Sequence, residues 1–284
     1  MTDARGIPSS SSAEERERAL ITWLREQGSV LLGFSGGVDS AYLASVAVDA
    51  LGAERVLAVI GRSPSYPEEQ WQVARDVASH LGLHVEEIDT EEMDDPRYVS
   101  NPSNRCYFCK SELWSKLAPL ARARGLAVVI DGTNADDIGG HRPGMRAAEE
   151  HGVRSPLVDV GMTKRDVRER SRARGLPTWS RPSAPCLSSR LQYGLSVTAE
   201  RLRQVERAER GLRDLGIAGD LRVRHHGDLA RVELARDMLS LWLAPIPMRM
   251  IIAAVRSAGF SRVTVDLRGF RSGSLNILHE VSAA

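Results

Sequence analysis

The stretch Gly33-Phe34-Ser35-Gly36-Gly37-Val38-Asp39-Ser40 constrains the fold more than any other part of the chain. It follows an apolar, β-branched run at residues 29–34 and opens a helical pattern at 41–51. Glycines let backbone N–H groups approach an anion with no Cβ in the way. Ser35 and Ser40 add hydroxyl donors, and the helix that follows adds the positive end of its dipole. Gly36, Gly37 and Val38 supply the backbone between the two serines. This is the chemistry of a phosphate-binding loop set between a strand and a helix. An acidic residue inside such a loop repels phosphate unless a cation stands between them, which makes Asp39 a helper for Mg²⁺. No G-x-x-x-x-G-K-S/T occurs in the chain, and the loop is not a G-x-G-x-x-G dinucleotide fingerprint.

Further apolar runs at 55–60, 84–88 and 127–130 are separated by helical patterns at 67–81 and 106–124. Short apolar strands alternating with helices of this length predict an α/β fold, a doubly wound parallel sheet with crossover helices. Such sheets bind ligands in the crevice beyond the carboxyl ends of their strands. The phosphate loop, residues 131–137 and residues 155–157 all follow strand-like runs and should meet there. A proline-rich stretch at 175–193 ends the alternation. After it the pattern is a helix at 198–215, a hairpin of 222–225 with 230–235 around Gly227-Asp228, a helix at 247–258 and a strand at 263–267. The expected organisation is a polar, disordered tail at 1–14, an α/β domain at 15–194 and a smaller α+β domain at 195–284.

Composition narrows the class. At 284 residues the chain is long enough for two domains. A net charge of +1 supplies no electrostatic reason for nucleic-acid or membrane affinity, and no apolar run reaches bilayer length. The N-terminal residues, with serines at 9–12 and no hydrophobic region, do not read as a secretory signal. The expectation is a cytoplasmic protein, whose three cysteines serve chemistry or metal binding before disulfides.

Cys106, Cys109 and Lys110 stand at i, i+3 and i+4, so a helix beginning near Asn104 presents all three on one face. Cys106 would then lie in the first turn, where the dipole and Arg105 favour a thiolate. Cys186 lies between prolines in Arg181-Pro-Ser-Ala-Pro-Cys186-Leu-Ser-Ser-Arg190, a stretch that cannot form regular structure. Other features read more plainly. Residues 131–137 are a ligand-binding turn at the crevice. His225 and His226 point to opposite faces of a strand and read as surface residues beside a turn. The arginine-rich helix at 164–174 reads as a solvated face. Trp179 is equally suited to stacking on a flat ring or to packing, and residues 238–250 read as core or subunit contact.

The loop Ser35-Gly36-Gly37-Val38-Asp39-Ser40 resembles the signature S-G-G-x-D-S/T of the PP-loop ATP-pyrophosphatase superfamily. The resemblance implies ATP as cosubstrate and cleavage between its α- and β-phosphates, with AMP placed on an acceptor oxygen. Several further segments resemble the LarE-type sulfur transferases within that superfamily. They are N-P-x-x-R-C-Y-x-C-K ending at Lys110, D-G-T-N-A-D-D at 131–137, R-P-G at 142–144 and S-P-L at 155–157. To these add G-L-P-x-W at 175–179, P-C-L-x-S-R-x-x-Y-G at 185–194, R-V-R at 222–224 and D-L-R-G-F-R-S-G-S-L-N at 266–276.

That likeness implies adenylation of the carboxylates of pyridinium-3,5-biscarboxylic acid mononucleotide and their conversion to thiocarboxylates for a nickel-pincer cofactor. It implies that Cys186 attacks the acyl-adenylate, that Lys110 contacts substrate or AMP, and that Asp137 is an acidic site residue. It further implies that Arg222 and Arg224 grip the substrate phosphate, that Glu209 holds a divalent metal such as Mg²⁺, and that the protein is a homo-oligomer such as a hexamer. Two sulfur sources follow. Family members with only the Cys186 equivalent sacrifice its sulfur and leave dehydroalanine. Relatives with three cysteines use sulfide bound to a 4Fe–4S cluster, here on Cys106, Cys109 and Cys186. Structural zinc and a redox-active Cys106/Cys109 pair are the other readings of these thiols. The competing activities are a tRNA thiolase, an amidating synthetase and a non-catalytic redox module that binds nucleotide.

Overall fold

The computed structural model describes residues 11–139 and 143–275. Arg142 of the R-P-G segment and Asn276 at the end of the D-L-R-G segment lie outside them. The chain forms two compact units. Among the described residues the first takes 11–63, 68–92, 104–139 and 143–184, and the second takes 64–67, 93–103 and 185–275. Residues 185–194 thus join the C-terminal unit, together with two short segments from much earlier in the chain. Backbone pairing explains the grouping. Leu187 N donates to Ser65 O at 2.8 Å and Val197 N to Val99 O at 2.8 Å, while Asn101 Nδ2 donates to the carbonyls of Gln192 and Leu195.

The first unit begins with α1 (Ala13–Gln27). Ser12 Oγ accepts from Glu15 N, and the Glu15 carboxylate accepts in return from Ser12 N. This reciprocal cap starts the helix where the composition suggested only a tail, so the tail expectation is corrected for residues 11–14. The elements that follow are β1 (Val30–Gly33), α2 (Val38–Leu51), β2 (Val56–Arg62), α3 (Glu68–His80) and β3 (His84–Asp89). After α4 (Pro96–Val99), which belongs to the second unit, come α5 (Arg105–Ala123), β4 (Val128–Ile130), α6 (Pro143–Glu150), α7 (Pro156–Asp159) and α8 (Lys164–Ala173).

The four strands pair in parallel in the order β3-β2-β1-β4, which is the expected α/β class. The chain steps outward from β1 through β2 to β3, then returns to place β4 on the other side of β1. The crevice beyond β1 and β4 is therefore the topological switch point, where ligands of such sheets bind. Beneath it, Trp114, Leu117 and Ala121 of α5 repeat at i, i+3 and i+7 and pack on Leu31, Leu57, Val59 and Val129. Burying a side chain such as Leu31 stabilises the sheet by about 1.5–3 kcal/mol. Gly33 has no Cβ because one would stand 2.8 Å from the Trp114 ring.

The charged helix α8 is not the solvated face its composition suggested. Arg170 and Arg174 converge on Glu17 of α1, and Arg174 also binds Asp49 of α2. Burial alone would raise the Glu17 carboxyl. Hydrogen bonds from Arg170, Arg174 and Tyr42 outweigh it and hold the pKa at about 2. An acidic residue on a helix far away in the chain turns an apparently solvent-facing arginine pattern into an interhelical clasp.

In the second unit, α9 (Ala199–Asp214) precedes the hairpin of β5 (Leu221–His226) and β6 (Leu229–Leu234). Then come α10 (Leu239–Trp242), α11 (Pro245–Ser257) and β7 (Arg262–Val265), which pairs in parallel with β6. α9 buries Leu202, Val205, Ala208 and Leu212 along one face. Residues 238–250 divide between core and surface, with Leu239 and Trp242 buried and Leu241, Ile246 and Met250 exposed. Among the described residues no single helix is long and apolar enough to cross a bilayer.

His225 departs from its expected surface position. It is 2% exposed, with Nε2 hydrogen-bonded to Gln204 Oε1 at 2.9 Å and its ring against Phe260. The strand alternation was right, but the face it predicts as open is covered by α9. Burial, and secondarily Arg201 and His226, push this imidazole down to about 4. Because the folded pKa lies below the unfolded value, stability is fully present above pH 6.5 and is lost as pH falls from 6.5 towards 4. Urea unfolding at pH 5 should yield about 1–2 kcal/mol less stability than at pH 7 after allowance for solvent screening. A His225→Gln variant should show a flatter profile; an unchanged slope in the variant would contradict this assignment.

Candidate active site

The phosphate loop is built by the residues that hold its shape. Gly36 sits at φ +64°, a conformation natural only to glycine, and a Cβ there would stand 2.4 Å from Ala74 Cα. Gln70 of α3 donates to Ser35 O at 2.7 Å. Ser35 Oγ lies 3.2 Å from Ser40 Oγ, and Ser40 Oγ donates to Gly37 O at 3.2 Å. Gly37 precedes α2, and Val38 and Asp39 open it, so the loop ends on a helix N-terminus.

Residues 131–137, which follow β4, come up against this loop. A Cβ on Gly132 would stand 2.9 Å from Ser40 N, so only glycine lets the two backbones touch. Asp131 is buried and accepts from Thr133 N, Thr133 Oγ1 and Ser155 Oγ. Its part is to shape the turn and tie in Ser155. Asn134 caps the short 3-10 turn Ala135–Asp137, and Asp137 Oδ2 accepts from Asn134 N at 3.2 Å. Asn134 Nδ2 reaches Asp39 Oδ1 at 3.3 Å.

Asp39 has a partner that sequence reasoning missed. Lys164 Nζ donates to Asp39 Oδ2 at 2.5 Å, and Lys164 N donates to Asp136 Oδ2 at 2.8 Å. Lys164 is the first residue of α8, positioned by the Thr163/Asp166 capping box. That Thr-x-x-Asp pattern was the available signal for a fixed helix start. The charge of the helix as a whole obscured it. The loop therefore carries a cation beside its one acidic residue.

Lys110 lies on α5 with its ammonium 4.7 Å from the centre of the Trp114 ring. A Cβ on Gly144 would stand 3.1 Å from Lys110 Cγ, so the glycine makes room for the lysine stem. α5 begins at Arg105, which places exposed Cys106 in its first turn and half-buried Cys109 one turn on.

Within the second unit, Cys186 precedes the 3-10 turn Leu187–Arg190 and is half-buried. Arg222 and Arg224 are buried on one face of β5. Arg224 pairs with Glu233, which is 0% exposed and also accepts from Arg231 and Ser274 Oγ. Arg224 Nη1 donates as well to Ser189 O at 3.2 Å. Arg222 lies over the Phe270 ring and donates to Leu221 O. Burial, followed by the like charges of Arg190 and Arg224, pushes the Arg222 guanidinium down to about 10. A buried guanidinium among like charges is stabilised by any anion brought to it.

Glu209, expected to hold a divalent metal, already has a cation. Its two oxygens accept from Arg190 Nε and Nη2 at 3.1 Å, and Oε1 also accepts from Val223 N at 3.0 Å. Among the described residues no three His, Cys, Asp or Glu side chains stand together as a ligand set for a metal ion. Cys106 and Cys109 present two thiols from one helix of the first unit, and Cys186 stands in the second.

A family model for NAD synthase matches residues 15–105, the span of the phosphate loop and the first three strands. An uncharacterized protein of Synechocystis sp. is 43% identical over 263 residues, covering 93% of this chain and 97% of that protein. The pyridinium-3,5-bisthiocarboxylic acid mononucleotide synthase of Lactiplantibacillus plantarum is 34% identical over 261 residues, covering 92% of this chain and 94% of that enzyme. An uncharacterized protein of Methanocaldococcus jannaschii is 29% identical over 247 residues, covering 86% and 91% respectively.

Proposed function

The chain belongs to the LarE-type family of PP-loop proteins, and from that premise we propose that it is an ATP-dependent sulfur transferase acting on pyridinium-3,5-biscarboxylic acid mononucleotide. The observation that carries the adenylation half is the phosphate loop at the switch point of β1 and β4, with Lys164 beside Asp39. The lysine keeps a positive charge where the loop would otherwise repel the phosphate chain. Mg²⁺ arriving with ATP would be held by Asp39 and would neutralise phosphate oxygens.

The chemistry divides between two sets of residues. A substrate carboxylate oxygen attacks the α-phosphorus, the α–β bond breaks, and pyrophosphate leaves from the loop. Lys110 contacts substrate or AMP, and Asp137 serves as the acidic group beside the loop. Arg222 and Arg224 hold the substrate phosphate as buried cations. Cys186 Sγ then attacks the acyl carbon of the adenylate, AMP departs with its electron pair, and a thioester forms. Where Cys186 is the sulfur source, loss of its Cα proton and cleavage of its Cβ–S bond release the thiocarboxylate and leave dehydroalanine; sulfide carried by a 4Fe–4S cluster is the alternative source.

The test is incubation with ATP, Mg²⁺ and the mononucleotide, with pyrophosphate, AMP and product mass followed together. Equal amounts of AMP and pyrophosphate and a thiocarboxylate product are expected. ADP in place of AMP would overturn the adenylation reading. A carboxamide formed on adding ammonia, or AMP release dependent on tRNA, would favour the amidating or RNA-directed alternative.

A further inference from the structure

Arg190 is 3% exposed, and its hydrogen bonds brace the segment that carries Cys186. Its Nη1 donates to Pro185 O, to Cys186 O at 3.0 Å and to Ser189 Oγ at 3.2 Å. Its Nε and Nη2 form the two-pronged pair with Glu209 of α9. Glu209 in turn accepts Val223 N of β5, so the guanidinium is anchored to both a helix and a strand. The Cys186 carbonyl takes two more donors, Ser189 N at 3.0 Å and Ser189 Oγ at 2.7 Å. On its far side Leu187 N is held by Ser65 O. The backbone is thus pinned before, at and after Cys186, where Pro182 and Pro185 keep the preceding residues out of helix and sheet and a 3-10 turn follows. The planar guanidinium suits this double role, because two parallel donors face a carboxylate while another edge stays free for carbonyls. Lysine, a single point donor, cannot do both at once.

We propose that Arg190 is a positioning residue for the Cys186 thiol, and that Glu209 acts through Arg190 by fixing its orientation. The inference rests on the reading of Cys186 as the reacting thiol. It gives Glu209 a role in orienting the cysteine segment, in place of the metal-binding role that the family resemblance implies.

The experiment compares wild type, Arg190→Ala, Arg190→Lys and Glu209→Gln by two measurements. The first is thiocarboxylate formed per pyrophosphate released. Loss of the guanidinium should lower that ratio by about tenfold or more and slow pyrophosphate release itself by less than about twofold. Methylguanidine added to Arg190→Ala should restore part of the ratio, since it fits the vacated cavity. Lysine should restore little, and Glu209→Gln should fall in between. The second is the rate at which iodoacetamide labels Cys186 in the ligand-free protein, which does not depend on the proposed reaction. A released loop should label faster by about threefold or more. Unchanged labelling and an unchanged product ratio in folded Arg190→Ala would overturn the proposal, as would a ratio that methylguanidine leaves untouched. If wild type forms no thiocarboxylate at all, the functional reading fails, and the labelling rates alone decide whether Arg190 positions the thiol.

Discussion

Cys186→Ala is expected to lower thiocarboxylate formation by about a thousandfold or more, because a nucleophile that forms a covalent intermediate has no substitute. Pyrophosphate release should continue, since the phosphate loop, Lys164 and Asp39 are untouched by the change. The acyl-adenylate should then accumulate, and hydroxylamine should trap it as a hydroxamate. In the wild type, one turnover should remove about 34 Da from the peptide containing Cys186, the mass of H₂S lost when cysteine becomes dehydroalanine. The two measurements separate three cases. Product from the alanine variant would mean that the sulfur reaches the substrate without this thiol. Repeated turnover of the wild type with no mass change would point to an external sulfur carried by the protein. Single turnover with the mass loss is the outcome the mechanism requires.

Gly36→Ala should be the most damaging single change in the first unit. The added Cβ would lie 2.4 Å from Ala74 Cα and 2.8 Å from Ala74 N, and both are backbone atoms that cannot swing aside. The φ of +64° adds the usual penalty of a left-handed conformation for a residue with a side chain. Together these should destabilise the unit by about 2–4 kcal/mol. The loop can relieve the clash only by moving away from α3, which breaks the Gln70 hydrogen bond to Ser35 O. A shift of about 1 Å in the phosphate cradle should cut pyrophosphate release by about a hundredfold. Urea unfolding reads the first effect and pyrophosphate release from folded protein the second. If both stay near wild type, the close approach of loop to α3 is not what holds the loop in place.

Much of the local geometry of the candidate site was legible in the sequence because local rules wrote it there. Gly36 and Gly37 between an apolar run and a helix leave little but an anion loop, and the helix start at Arg105 follows the expected position closely enough to put Cys106 in its first turn. The hairpin around Gly227-Asp228 was equally local, since one glycine at φ +77° closes it. Lys164, Glu233 and the Glu17 cluster were not legible. Each depends on a partner far away in the chain: Asp39 lies 125 positions from Lys164, and Ser274 lies 41 from Glu233. Charge patterning along one helix reports which residues are ionised, and says nothing about which carboxylate another helix brings to them.

The sequence by itself determined the α/β class, the strand–loop–helix that makes the phosphate site, and the membership of a family whose motifs run in order along the chain. The first two follow from backbone conformation and from side-chain periodicity, which act over a few residues at a time; the third is a likeness of motifs. Only the tertiary structure decided that Lys164 faces Asp39, that His225 is buried under α9, and that Arg190 and Glu209 brace the cysteine segment. These are pairings of charge and hydrogen-bond donors across long sequence separations. They exist because burying hydrophobic faces such as that of α9 leaves the polar groups beside them no solvent to face, and each then finds a partner in whichever element the fold has brought alongside.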